Sequence, residues 1–278
     1  MRRKKEKPVV VISDLHVDRW ENGRKEMFFE FLDHVVKTAK EMYVLGDIFD
    51  FPPLKGETVW PGHREIITRL RSLPERGIPL TYVIGNHDLS LRGIELDEGG
   101  FTMTYCDRKR CLVREIYGAR VFMDHGHFHD PLFKEHIYDA IDFLRNVTGE
   151  PVDRRAVDFF RDVVRIFQRE PKRKAAPGRK ERTPGEVGVP ERFLKIWEDA
   201  AEQVSKEMRC DAVVFGHTHA PGITPVAGGG KLYVNSGDWT THATYVEFTP
   251  GKISLRDWTA AAPLKEVPMP VKSSRAYR

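Results

Sequence analysis

Cysteine is scarce: Cys106, Cys111 and Cys210 are the only three among 278 residues. So small and odd a number excludes a disulfide scaffold. The interval from Cys106 to Cys111 is not one of the short zinc-site spacings, so free thiols are expected. Long apolar runs are missing too. Nothing reaches the roughly 18 residues of a membrane-spanning helix, and the run after the basic opening "MRRKKEK" is too short for a secretory signal. These absences lead us to expect a cytoplasmic protein.

Neither sign of charge dominates, since 45 Lys and Arg stand against 41 Asp and Glu for a formal net charge of +4. The distribution says more. Arg2, Arg3, Lys4, Lys5 and Lys7 crowd the start, and "REPKRKAAPGRKER" (169–182) is a second basic block with almost no apolar side chain. Both read as solvated segments, a tail over 1–7 and a loop over 169–189, that could meet an anionic membrane surface. The block "PKRKAAPGRKERTP" has no aromatic residue to stack on a base, which argues against a nucleic-acid partner.

What is present is a regular alternation of strand and helix. "PVVVIS" is a continuous β-branched run, as in a strand buried on both faces. "RKEMFFEFLDHVVKTAK" puts Met27, Phe28, Phe31, Leu32, Val35, Val36 and Ala39 on one helical stripe. Strand "MYVLGD", a helix over 63–72 and strand "LTYVIGN" follow, then a hairpin, "CLVREIYG" and "ARVFMDHG", turning at Tyr-Gly. Residues 131–208 read as helices around the basic loop, and "DAVVFG", "KLYVNSG", "ATYVEFTP" and "KISLRDW" as closing strands. The pattern predicts an α/β fold of two packed sheets with helices outside, over residues 8–258, interrupted by a helical insertion at 131–208 and followed by a tail at 259–278.

Polar groups stand where each apolar strand stops: Asp14 and His16 in "SDLHVD", Asp47 in "GDIFD", Asn86, His87 and Asp88 in "GNHD", His125 in "DHGH", and His217 and His219 in "GHTH". Strands of a layered sheet end along one rim, so these groups should converge. Carboxylate, amide and imidazole donors together suit Mn, with Fe, Zn or Mg as alternatives. Seven donors are too many for one ion, but they divide between two if Asp47 bridges. Such a pair, about 3.5–4 Å apart, implies hydrolysis of a phosphate ester by activated water. In "DHGHFHDP", an extended chain would also send His125, His127 and His129 to one side.

The ordered blocks "DLH", "GDIFD", "GNHD", "HG" and "GHTH" resemble those of the calcineurin-like metallophosphoesterases from about Val9 to Phe248. The resemblance implies a four-layer α/β/β/α sandwich. It implies Asp14, His16 and His219 on one ion, Asn86, His125 and His217 on the other, and Asp47 shared. His87 would face the leaving-group oxygen, with Asp88 orienting its imidazole. His127 is expected either behind the ligands or against the substrate, or as a structural residue, and His129 at the surface or pocket rim. Arg19 and Trp239 are further candidates to meet substrate, and Trp20, like Trp239, is expected either to line the mouth of the site or to be buried.

"NSGDWTTHATYVEF", "GDIFD" and the insertion are similar to the branch that holds UDP-2,3-diacylglucosamine pyrophosphatase. That likeness implies a lipid-linked pyrophosphate substrate. Members with that activity commonly carry Arg where this chain has His87 and Asp where it has His127, so another phosphomonoester or phosphodiester stays open, as does a non-catalytic scaffold. Leu132, Phe133, Ile137, Ile141 and Leu144, and then Val157, Phe159, Phe160, Val163, Val164, Ile166 and Phe167, would either line a groove for acyl chains or pack as a cap.

Overall fold

The computed structural model describes residues 6–21, 23–49, 60–91, 95–106, 111–130, 191–226 and 230–270. The basic loop at 169–189 and the apolar helices expected between 132 and 167 lie outside the described residues.

β1 (Val9–Ile12) lies parallel to β2 (Glu41–Leu45), which lies parallel to β3 (Leu80–Val83), itself parallel to β5 (Phe101–Thr104). β4 (Leu96–Glu98) closes that edge antiparallel to β5. On the other side of β1 come β11 (Thr244–Thr249), β12 (Lys252–Asp257) and β13 (Lys265–Pro268), each antiparallel to its neighbour. β13 falls in the segment expected to be a tail, where it pairs with β12 as the edge strand.

The second sheet runs in the order β6 (Leu112–Ile116), β7 (Ala119–Met123), β8 (Ala212–Phe215), β10 (Leu232–Asn235) and β9 (Gly222–Pro225). β7, β8 and β10 are mutually parallel. The β6–β7 hairpin turns at Tyr117 (φ 48°) and Gly118 (φ 85°), the left-handed pair that a two-residue hairpin connection needs.

Alternation along β1 sends its side chains into two different cores. Val10 and Ile12 pack with Phe28, Phe31, Leu32 and Val35 of α1 (Arg24–Thr38) and with Ile66 and Leu70 of α2 (Trp60–Arg71). Val9 and Val11 face Val121, Met123, Val214 and Val234 of the second sheet. The outer face of that sheet, with Phe122, Val213, Phe215 and Tyr233, is covered by Trp197, Ala201 and Val204 of α3 (Glu191–Glu207). Helices, sheet, sheet and helix make the α/β/β/α sandwich expected from the sequence.

Trp239 is fully buried against Phe28 and Phe31, at ring-centroid distances of 5.1 and 4.8 Å. It has no surface to offer a substrate, so its expected role there is corrected to that of a core residue. Trp20, half-buried, packs on Phe28 and donates its indole N–H to the Leu15 carbonyl at 2.6 Å. Because Phe31 touches Trp239, Tyr245 and Trp258 together, Phe31→Ala should cost about 3–5 kcal/mol of unfolding free energy, measurable by urea denaturation.

Candidate metal centre

Five parallel strands, β1, β2 and β3 from one sheet and β7 and β8 from the other, stop along a common rim, and every candidate metal-binding residue lies just beyond one of these ends. Main-chain bonds tie the loops together. Asp14 N–H donates to Gly46 O (3.1 Å), His16 N–H to Asp47 O (2.9 Å), Gly216 N–H to His125 O (3.0 Å) and Trp239 N–H to Asp14 O (3.0 Å).

Those loops hold a strained backbone. Of seven non-glycine residues with positive φ among the described residues, five are Asp14 (53°), His16 (41°), Asp47 (55°), His217 (65°) and His219 (54°). Each such conformation costs on the order of 1–3 kcal/mol and persists only where its surroundings enforce it. In return, side chains that would otherwise alternate across a strand turn toward one point. Close backbone approach does the rest. A Cβ on Gly85 would lie 2.2 Å from Asp47 Oδ1, and one on Gly216 would lie 2.4 Å from Asp14 Oδ2.

Asp47 is central. Its Oδ2 lies 3.2 Å from His125 Nε2, 3.7 Å from His16 Nε2 and 3.9 Å from His87 Nε2, while its Oδ1 accepts the His87 N–H at 2.9 Å. Asp14 Oδ1 lies 3.2 Å from His219 Nε2, and its Oδ2 accepts the His217 N–H at 2.9 Å. Asn86 Oδ1 is 2.9 Å from His125 Nε2. Candidate ligand atoms thus fall into three groups: Asp14, His16 and His219; His16, Asp47 and His87; and Asp47, His125 and His217. The middle group shares His16 with the first and Asp47 with the last.

The donor set fits divalent cations. His16 Nε2 and His219 Nε2 are only 3.2 Å apart and both face Asp14. Ligand atoms about 3.0–3.5 Å apart are what metal–ligand bonds of about 2.1 Å around one centre require. Electrostatics agree. Burial alone would raise the Asp47 carboxyl, but His125, His87 and His16 hold it well below the usual carboxylate range. Burial likewise opposes a charged His125, yet Asp47 and Asp14 push it up to about 10. The surrounding imidazoles thus hold Asp47 in its anionic form, the form in which a carboxylate binds a cation.

The strand β7 ends at Met123, and after Gly126 (φ 105°) residues His127–His129 form a 3₁₀ turn, so the three histidines do not alternate along an extended chain. His125 enters the cluster; His127 is buried behind it, at ring-centroid distances of 5.4 Å from His125 and 4.1 Å from Phe128; His129 stacks on Phe215 at 5.0 Å. Asp88, expected to orient His87, is buried and accepts N–H bonds from Ile48 (3.3 Å), Phe49 (3.1 Å) and Gly85 (3.4 Å). It clasps the loops after β2 and β3. Burial, with the Asp47 charge, pushes its carboxyl up to about 6.

Arg19 is exposed in a turn, Val17–Arg19, its N–H bonded to His16 O at 2.8 Å. His87 is the most open of the clustered side chains, 38% exposed, against 1% for His16 and none for His125.

Two acids escaped the sequence reading. Asp130 Oδ2 lies 2.9 Å from His217 Nε2. Asp238 gathers the Thr240, Thr241 and His242 N–H groups and the Thr240 hydroxyl on Oδ1, while Oδ2 takes His242 Nδ1 at 2.5 Å. Arg24 braces the same loop through the carbonyls of His242 and Thr240. Asp238 was legible in "DWTTH", since an aspartate two residues ahead of an N–H that donates to its carboxylate is an Asx turn. Asp130 carried no local signal.

A family model, calcineurin-like phosphoesterase, matches residues 7–221. The chain belongs to this family. Its relatives include the UDP-2,3-diacylglucosamine hydrolase of Salmonella typhi, 27% identical over 250 residues, which span 88% of this chain and 96% of that one. The enzyme of the same name from Aeromonas hydrophila is 25% identical over 88% of this chain and 95% of its own length. A dimetal phosphatase from Danio rerio shares the fold at a TM-score of 0.51 and 11% identity, over 96% of this chain and 99% of that one. Family and geometry together make the protein a metal-dependent phosphoesterase. No helix among the described residues is long and apolar enough to cross a membrane.

The close approach at Gly85 has a direct test. Gly85→Ala should lower divalent-cation affinity at least tenfold by calorimetric titration, because its methyl collides with the Asp47 carboxylate. Gly222→Ala, whose Cβ meets nothing nearer than 3.8 Å, should leave affinity unchanged.

Proposed function

We propose that this phosphoesterase cleaves the pyrophosphate of UDP-2,3-diacylglucosamine, releasing UMP and the acylated sugar 1-phosphate. The observation that carries the substrate is the near full-length likeness to enzymes named for that hydrolysis, over 88% of this chain and 96% of theirs. Water adds to one phosphorus, the bridging P–O bond breaks, and the freed oxygen leaves on the other product.

Asp14, His16 and His219 would hold one divalent ion, Asn86, His125 and His217 a second, with Asp47 shared; Mn is our first choice. When bound, such a pair polarises the phosphoryl oxygens and makes water acidic enough to attack in line. The chain's own groups do the rest. Asp47, held anionic by the imidazoles around it, keeps the ligands in register. His87, at the open side of the cluster, donates a hydrogen bond or proton to the leaving oxygen. Asp88 keeps the Asn86–His87 loop against the loop after β2, so that both roles share one geometry. Arg19, on the exposed turn after His16, would meet a substrate anion, and buried His127 would shape the wall behind His125.

His87 and His127 favour a second reading, since lipid-hydrolysing relatives commonly carry Arg and Asp at these places. On that reading the same centre serves another phosphomonoester or phosphodiester. A cytoplasmic enzyme touching the membrane through its basic segments belongs to the first reading, because an acylated substrate resides there.

Asp47→Ala should abolish both cation binding and turnover, as one carboxylate serves both ions. His87→Ala should keep both cations, by metal analysis, and lose about 10²–10³ in kcat. With Mn, UMP release from UDP-2,3-diacylglucosamine well above the rate on p-nitrophenyl phosphate and its bis ester supports the lipid substrate. Equal or faster turnover of the simple esters contradicts it.

A further inference from the structure

Asp130 lies outside the ligand cluster, immediately after the 3₁₀ turn His127–His129, yet its Oδ2 sits 2.9 Å from His217 Nε2. Side chains of Asp130 and His217 are only 16% and 15% exposed, so water competes weakly for this contact. Trp197 of α3 presses edge-on against the His217 ring at 5.5 Å, and His125 does so from another side at 5.2 Å. The ring is therefore packed as well as hydrogen-bonded, while its backbone is held at φ 65°.

We infer that Asp130 is a positioning residue that fixes the tautomer of His217, and this inference rests on the dimetal reading proposed above. A carboxylate can only accept, so Nε2 must carry the proton and Nδ1 is left as the lone-pair nitrogen. The hydrogen bond at one ring nitrogen decides which nitrogen binds a metal, and the partner carboxylate also makes the ring a stronger donor. His217 then presents Nδ1 to the ion shared with Asp47 and His125, whereas His125 itself uses Nε2, the nitrogen that faces Asp47 and Asn86.

The test pairs Mn titration, followed by electron paramagnetic resonance, with histidine ¹⁵N spectra of the metal-free full chain. In the parent protein two Mn sites and an Nε2–H signature for His217 are expected. Asp130→Asn should weaken one Mn site 10- to 100-fold, leave the other unchanged, and shift His217 toward a mixed tautomer. Asp130→Glu should recover much of the lost affinity, and Asp130→Asn added to His217→Ala should cost nothing further. Unchanged Mn affinity and an unchanged ¹⁵N signature in Asp130→Asn, with two sites in the parent, would overturn this inference alone. A parent that binds no Mn would overturn the dimetal reading and this inference with it.

Discussion

Two carboxylates, Asp14 and Asp47, are buried within one cluster at the ends of the β1 and β2 strands, and each raises the cost of ionising the other. Desolvated like charges are among the most expensive arrangements a protein can build. Much of the surrounding architecture answers that cost. Imidazoles from His16, His87, His125 and His219 approach from several loops, main-chain N–H groups of His87 and His217 point at the remaining oxygens, and glycines at 85 and 216 let the backbone come near enough for them to do so. On the dimetal reading proposed above, a pair of divalent cations would complete the compensation.

The fold supplies rigidity for this arrangement. β1 is buried on both faces, with Val10 and Ile12 in one core and Val9 and Val11 in the next, so the position of Asp14 is set by packing on both sides of the strand. The second sheet brings His125, His217 and His219 to the same rim through β7 and β8. Five left-handed backbone positions gathered at one place are stable only because those two sheets pack tightly beneath them. Asp88 and Asp238, buried in the loops after β3 and β10, serve the same end by binding main-chain N–H groups.

Much of this was legible in the amino-acid sequence. The β-branched run at Val9–Ile12 and the stripe Phe28, Phe31, Leu32, Val35 carry the periodicities of buried strand and amphipathic helix over enough residues to be plain. Donors at the ends of strands advertise a rim, which is why Asp14, Asp47, Asn86, His125, His217 and His219 could be grouped before any coordinates. β4, β9 and β13 left little trace, because they are short, partly exposed edge strands without alternation. Asp130 meets His217 only through tertiary folding, across 87 positions of sequence. The turn at His127–His129 left no trace, because the left-handed φ of Gly126, which redirects the chain, has no counterpart in a hydropathy pattern.

Asp47 is proposed as the carboxylate shared by two cations. A crystal structure of the Mn-loaded protein with anomalous scattering measures this directly. It should show two Mn peaks about 3.5–4 Å apart with the Asp47 carboxylate between them. A single peak, or two peaks with Asp47 bound to neither or only one, would contradict it.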